Sequence, residues 1–372
     1  MMFMGLAAIN SQANLLFGVF GLMIGILFIS ISVSRFVLRR ITMTRGLPES
    51  AIVGLPSIVT YELRNSKRYW ASFSVTVAEL DGGEAFTKQP QAYMLHAAPR
   101  TSAIIPSQVT PKRRGLHQLN RYQLSTSFPF GFIKRAIERK QQESIVIYPA
   151  LAEVDPKLLQ QMRSAESSGA TMRPRRGGND EFYGLKEFRT GENPRYIYWR
   201  RSARTGTLVS KEMTHVSPPR IVILVDTFIS SRDTPHHAAT ERCIAMAASL
   251  GSHALEQGLT VGLVCWSDGW IKLTPARGKR HRRDILAVLA RLPLNTAHDS
   301  RALLAAALEL QDSGTTLAMF SPVEAAASTQ RSSGALIVIP ADSLQSRRWF
   351  RFNPLVDFNH CMPIEQEPDS AL

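Results

Sequence analysis

Cysteine is scarce in this chain: there are three in 372 residues, Cys243, Cys265 and Cys361, all far apart. With no Cys-x-x-Cys pair, neither a disulfide framework nor a cysteine-bound zinc is indicated, and a reducing compartment fits best. The signatures of chemistry are missing too. There is no Gly-x-Ser-x-Gly elbow, no His-Glu-x-x-His helix and no Gly-rich phosphate cradle, so the sequence offers neither a catalytic set nor a cofactor site. His236-His237 is no substitute, because adjacent helical residues point about 100° apart and do not readily share one ion. Low-complexity tracts are absent, and with 44% hydrophobic and 20% charged residues most of the chain should pack. Acidic residues are outnumbered, 30 against 44 basic, for a net charge of +14. A positive field of that size suits nucleic acid, an anionic membrane surface or an acidic protein, and does not choose among them.

The longest gap in charge is at the start, where nothing charged occurs from Met1 to Ser34. Within it Leu15 to Val33, LLFGVFGLMIGILFISISV, is almost wholly apolar. At about 1.5 Å per residue such a helix covers the roughly 30 Å hydrocarbon core of a bilayer. A signal peptide would carry a basic n-region and a small-x-small cleavage site, and neither is present. A transmembrane anchor is therefore expected. Arg35, Arg39, Arg40 and Arg45 follow it while nothing basic precedes it, so the positive-inside rule places the rest in the cytoplasm. Met1 to Ile9 is apolar but too short to span, which leaves a second, upstream span open.

From about Ser50 to Pro149 short strands are expected, at Ser57 to Leu63, Ala103 to Val109, Gln118 to Ser125 and Ser144 to Tyr148, with turns at Gly82-Gly83, Arg114-Gly115 and Pro129-Phe130-Gly131. In Phe73-Ser74-Val75-Thr76-Val77 the alternation puts Phe73, Val75 and Val77 on one face. The spacing suggests a small β-sandwich. Asp155 to Ser164 reads as a helix and Ser167 to Gly178 as a connector. From Arg220 strands alternate with helices, the pattern of a parallel sheet covered on both faces. The strands are Ile221 to Val225, Thr260 to Cys265, Thr315 to Phe320 and Ala335 to Ile339; the helices are His236 to Gln257, Arg280 to Arg291, Ser300 to Gln311 and Val323 to Arg331. The fold class is multi-domain: a membrane anchor (1–40), a β-sandwich-like domain (50–150), a linker with a signature motif (151–215), an α/β domain (216–345) and a tail (346–372).

The linker carries Gly177-Gly178-Asn179-Asp180-Glu181-Phe182-Tyr183-Gly184-Leu185-Lys186-Glu187-Phe188-Arg189-Thr190-Gly191-Glu192-Asn193-Pro194-Arg195-Tyr196-Ile197-Tyr198-Trp199-Arg200-Arg201-Ser202-Ala203-Arg204-Thr205-Gly206. This resembles the signature of the domain-of-unknown-function-58 family, a Gly-acid-x-x-Arg-x-Ile-x-Trp-basic-x-Ser/Thr-Ala-Arg core. Asn14-Leu15-Leu16-Phe17, Arg113-Arg114-Gly115, Phe128-Pro129-Phe130-Gly131 and Tyr148-Pro149 look like further landmarks of that family, so the resemblance extends over nearly the whole chain. Physically, Asn193 is suited to cap a helix that opens with Pro194, Trp199 would sit mid-helix, and Thr205-Gly206 would end it before a strand from Thr207 to Met213. Arg195, Ile197 and Trp199 also alternate as in a strand. Two readings stand side by side. Arg195, Arg200, Arg201 and Arg204 form a docking surface for an acidic partner, or Glu187, Arg189, Gly191, Ile197 and Trp199 form a packed, ion-paired structural motif.

The resemblance implies a von Willebrand factor A-like, Rossmann-type α/β domain on an inner (cytoplasmic) membrane protein, partnered by the lipid bilayer and a MoxR-type AAA+ ATPase and without catalysis of its own. It also implies where a divalent ion would sit, at an Asp-x-Ser-x-Ser run after the first strand with a Thr and an Asp from later loops. Here Asp226 and Ser230 keep two positions, Phe228 replaces the middle Ser, and Ser321-Pro322 stands where Asp-Gly is expected, so the site reads as degenerate, with tight metal binding and any cofactor not expected. The alternative is a metal-dependent enzyme or ligand-binding domain at the Asp226 end of the sheet. Lys112-Arg113-Arg114, Arg173-Pro174-Arg175-Arg176 and Lys279-Arg280-His281-Arg282-Arg283 are basic clusters without stacking aromatics. Anionic lipid explains them more economically than nucleic acid, which is not expected as a partner.

Overall fold

The computed structural model describes residue 3 and residues 14–169, 181–189, 193–214, 220–229, 234–294, 299–310, 315–322 and 336–361. The chain divides into two compact units: Met1–Leu151 with Leu286–Leu292 and Phe352–Leu372, and Ala152–Ile285 with Pro293–Arg351.

The first unit opens with helix α1, Asn14–Leu38, which is long and apolar enough to cross a membrane. Its last turns are not exposed all round, because Ser30, Ser34, Val37 and Leu38 make one buried stripe, while Phe28 is 71% exposed. Eight strands follow: β1 (Ile41–Gly46), β2 (Ala51–Ile52), β3 (Ser57–Asn65), β4 (Ser72–Glu79), β5 (Gln91–Ala97), β6 (Ser102–Val109), β7 (Gly115–Thr126) and β8 (Arg135–Tyr148). They form one sheet in the order β1-β3-β6 and another in the order β2-β8-β7-β4-β5, antiparallel throughout except where β2 runs with β8. Val59, Tyr61 and Leu63 of β3 and Val75 and Val77 of β4 are buried, as alternation requires. Phe73 leaves that face. Ser74 has φ 51° and drops out of the ladder between Phe73↔His96 and Val75↔Met94, and Phe73 instead stacks on Phe128 at 5.0 Å.

Arg45, grouped above with the membrane-flanking cations, is instead buried. Its Nε and Nη2 donate to the two Glu79 carboxylate oxygens at 2.8 Å each, and Nη1 donates to the Gln141 carbonyl at 2.7 Å. Both side chains are fully shielded from solvent, so the pair holds only because its geometry is bidentate and complete. Arg114, in the Arg-Arg-Gly landmark, is buried too, its Nη1 donating to the carbonyls of Leu289 and Ala290 and its Nη2 to that of Leu292.

The second unit begins with β9 (Glu153–Val154) and α2 (Pro156–Gly169), continues through β10 (Glu181–Glu187), a 3-10 turn (Pro194–Tyr196), α3 (Trp199–Thr205) and β11 (Val209–Thr214), and then alternates: β12 (Arg220–Val225), α4 (Thr234–Glu256), β13 (Thr260–Trp266), β14 (Trp270–Ala276), α5 (Lys279–Arg291), α6 (Ser300–Leu308), β15 (Thr315–Ser321) and β16 (Leu336–Pro340). The main sheet has the order β14-β13-β12-β15-β16, with β12, β13, β15 and β16 parallel and β14 returning antiparallel beside β13. A strand covered on both faces needs an unbroken apolar run, and Ile221 to Val225 are all buried. Val222, Leu224, Val264, Leu317 and Met319 pack with Leu303, Ala306 and Ala307 of α6. On α4, a side chain at Gly251 would come within 3.2 Å of Ile223, so glycine there lets helix and sheet approach closely. The expected tail begins as structure: α7 (Leu344–Trp349) leads into β17 (Phe350–Arg351), which pairs with β9. The expected helix Val323 to Arg331, and Ala335 at the start of the last expected strand, lie outside the described residues.

Candidate functional site

The signature residues build a small unit on the β10–β11 hairpin, with Glu187 opposite Val209. Asn193 accepts a hydrogen bond from the Arg195 backbone N–H at 3.1 Å with Pro194 next to it, the capping arrangement expected, but the helix it opens is only a 3-10 turn. The chain then straightens. Ile197 bridges to Ser210, and the Tyr198 N–H donates to the Val209 carbonyl at 2.8 Å. Helix α3 starts afresh at Trp199 and stops at Gly206, which adopts φ 72°, the left-handed conformation that glycine accepts at no steric cost. Ser202 pins helix to hairpin, accepting from the Val209 N–H at 2.9 Å and donating to the Tyr198 carbonyl at 3.1 Å.

This geometry sorts the sequence candidates. Ile197, Ser202, Val209 and Ser210 are buried. Trp199 is not mid-helix and not packed: it is the first residue of α3 and 65% exposed, because the inward position of the alternation falls on Ile197 and α3 turns its own first residue outward. Arg195, Arg200, Arg201 and Arg204 are all exposed, as are Glu187 and Arg189, while Gly191 and Glu192 lie outside the described residues. Leu185 and Leu208 add exposed apolar surface on the same hairpin. Sequence reasoning missed Ser202 as the pin; its place one turn before Gly206 was the available signal.

The second candidate lies where β12 and β15 end side by side. In an open α/β sheet the crevice at the carboxyl ends of the strands, where strand order reverses, is the usual ligand position. Connections leave β12 and β15 to opposite sides, so Asp226 and Ser321 sit there. Asp226 is buried; its Oδ1 accepts from the Phe228 N–H at 3.0 Å and its Oδ2 from the Ser321 hydroxyl at 3.2 Å. Burial pushes the Asp226 carboxyl up to about 6, against the pull of those two hydrogen bonds, with the Asp299 carboxylate adding to the rise. Asp299 is itself engaged, accepting from the Ala302 N–H as the cap of α6. Thr227, missed at first reading, is buried with its hydroxyl unpartnered among the described residues. Ser230 lies outside them.

These donors do not fit a tightly held divalent ion. Among the described residues, one buried carboxylate with both oxygens already hydrogen-bonded, the Asp299 carboxylate engaged as a helix cap and two hydroxyls supply too little charge to replace an ion's water. No group of three or more potential metal-ligating side chains occurs among the described residues. Burial pushes the Cys243 thiol up and Cys265 to about 12, which disfavours the thiolate form at both.

With this geometry in view, comparison with known proteins adds one firm result. Residues 184–339 match the family described as "Protein of unknown function DUF58". The match opens inside β10 and closes in β16, so it takes in the hairpin, α3 and the strand-end site. No curated protein matches the chain. Among solved structures, the GH20 exo beta-N-acetylglucosaminidase from Vibrio harveyi is similar at a TM-score of 0.17 and 8% identity, covering 76% of this chain and 57% of that one. A likeness that weak carries no argument about fold or activity.

Proposed function

We propose that this chain is a membrane-anchored, non-catalytic docking protein that works with an acidic partner, a MoxR-type AAA+ ATPase, through the exposed face of its signature hairpin. The observation that carries the reading is the exposure of Trp199 together with Arg195, Arg200, Arg201 and Arg204 on a pinned scaffold. Trp199 is 65% exposed and Leu185 and Leu208 of the same hairpin are exposed as well; Trp and Arg are the residues that dominate binding energy when buried by a partner. Four exposed arginines close to Trp199 in sequence favour a carboxylate-rich surface. The ATPase itself comes from the family resemblance, and the residues supply the face.

Three further elements support the reading. Helix α1 has the length and composition of an anchor. The cations that follow it favour a cytoplasmic position for the rest of the chain, at an inner (cytoplasmic) membrane. The sheet order, with one antiparallel edge strand beside four parallel ones, suits a von Willebrand factor A-like domain. The alternative, metal-dependent binding at the strand ends, has Asp226, Asp299 and a Thr227 hydroxyl unpartnered among the described residues in its favour, but both carboxylates already accept hydrogen bonds. The test is affinity capture of the detergent-solubilised full chain followed by mass spectrometry: an AAA+ ATPase should be enriched over a capture with an unrelated membrane protein, and its absence would remove the partnership.

A further inference from the structure

The Phe128-Pro129-Phe130-Gly131 landmark plays no part in the docking face, and its surroundings in the first unit have a chemistry of their own. Strand pairing places Ser72, Ala97, Thr126 and Arg135 at one end of the five-stranded sheet, through the registers Ser72↔Ala97, Val75↔Thr126 and Thr126↔Arg135. It likewise places Ile41, Asn65 and Ser102 at one end of the three-stranded sheet. Buried Asn65 ties the two ends together, its side-chain amide donating to the carbonyls of Trp70, Ala97 and Ala98 and its backbone N–H to that of Thr101. The anchor leaves from the same end. Lys67 is buried with its Nζ donating to the Phe36 and Val37 carbonyls at the end of α1, Ser72 donates to the Val37 carbonyl as well, and the rings of Phe36 and Trp70 meet edge to face at 5.4 Å.

The loops of this end, 66–71, 98–101 and 127–134, contain no Asp or Glu, and neither does the last turn of α1. They hold out Tyr69 at 73%, Trp70 at 63% and Phe132 at 71% exposure, with Phe130 half-exposed beside Phe132. Around them stand the exposed cations Arg39, Arg40, Arg68, Arg100 and Lys134. Aromatic rings with cations and no acid, beside the exit of an apolar helix, is the composition of a membrane interface, where rings sit at headgroup level and Lys/Arg meet anionic lipid. We infer that this end of the first unit is a seat on the anionic leaflet, with Tyr69, Trp70, Phe130 and Phe132 inserted among the headgroups. The inference rests on α1 spanning the bilayer and goes beyond it: an anchor alone would leave the loops in water, whereas the seat fixes the unit against the lipid surface.

The test uses the full chain in nanodiscs of phosphatidylcholine, alone or with an equal part of phosphatidylglycerol, spin-labelled at single introduced cysteines. Phe28→Cys reports the anchor, Phe132→Cys the seat, and Lys88→Cys, in the loop after β4 at the other end of the sheet, is the aqueous control; the native cysteines are buried. The ratio of oxygen to aqueous nickel-chelate collisions at 132 should exceed that at 88 several-fold, approach that at 28 and rise with phosphatidylglycerol. In an Arg68→Glu, Arg100→Glu, Lys134→Glu background that rise should be lost. A lipid-like label at 28 with a water-like label at 132 overturns the seat and leaves the anchor standing. A water-like label at 28 overturns both. A label at 132 shielded from both reagents assigns the face to a second copy or another protein, and equal insertion with and without phosphatidylglycerol removes the anionic-lipid assignment.

Discussion

Replacing Asp226 with Asn discriminates a relic from a working ion site. The folded chain raises this carboxyl from 3.8 to about 6. A difference of about two units, at about 1.4 kcal/mol each, means that the fold disfavours the ionised form by roughly 3 kcal/mol. Because the folded value lies above the unfolded one, the folded chain holds the extra proton between about pH 4 and 6. Stability therefore falls as pH rises through that window and stays level above it. Asn keeps an oxygen for the Phe228 N–H and turns an amide toward the Ser321 hydroxyl, so part of the 3 kcal/mol is recovered; a gain of about 1–2 kcal/mol at pH 7 is expected after the loss of two charge-assisted hydrogen bonds. The assay is thermal melting of the detergent-solubilised chain from pH 4 to 8, with and without millimolar Mg²⁺. The variant should melt a few degrees higher at pH 7, lose the decline between pH 4 and 6, and respond to Mg²⁺ no differently from the parent. A lower melting temperature for Asp226→Asn at pH 7, or Mg²⁺ stabilisation of the parent that the variant lacks, would refute the reasoning and raise the metal-dependent alternative.

Other outcomes follow from the same geometry. Trp199→Ala should change stability by no more than about 0.5 kcal/mol, as an exposed position does, while reducing capture of the ATPase; an early melt would show that the ring is packed after all. Glu79→Ala strands the buried Arg45 charge and should cost about 3–5 kcal/mol in a denaturant titration, and the double replacement Arg45→Met, Glu79→Leu should recover most of it; equal damage from single and double variants would count against the ion pair as the cause. Protease added outside sealed cells should leave both units uncut, and cleavage of the first unit there would reverse the orientation.

Much of the fold was legible because it depends on local pattern. The alternation of Val59, Tyr61 and Leu63 and the unbroken run Ile221 to Val225 each state how many faces of a strand are buried, and helix limits such as Lys279–Arg291 fell within a residue of expectation. The misreadings share a cause: a side chain's environment depends on residues far away in sequence. Nothing near Arg45 announces that Glu79 awaits it across 34 residues, so it passed for a membrane-flanking cation. Trp199 looked like core because aromatic residues usually are, yet the chain leaves the extended form after Ile197 and starts α3 at Trp199, which turns it outward. The Asp226–Ser321 contact joins residues 95 apart. Asn65, Lys67 and Ser72 show no motif at all, and they draw the 66–71 and 98–101 loops and the end of α1 to one end of the first unit.

The claim that the signature hairpin is a docking face is tested most directly by charge reversal. Arg200→Glu, Arg201→Glu and Arg204→Glu combined place three acids where exposed cations stood, a change that costs little folding free energy but sets like charge against an acidic partner. The measurement is the yield of co-purified AAA+ ATPase beside a melting curve for the same preparation. The account predicts a chain that melts as the parent does and loses most of the ATPase; a normally folded triple variant that captures it at full strength would contradict it.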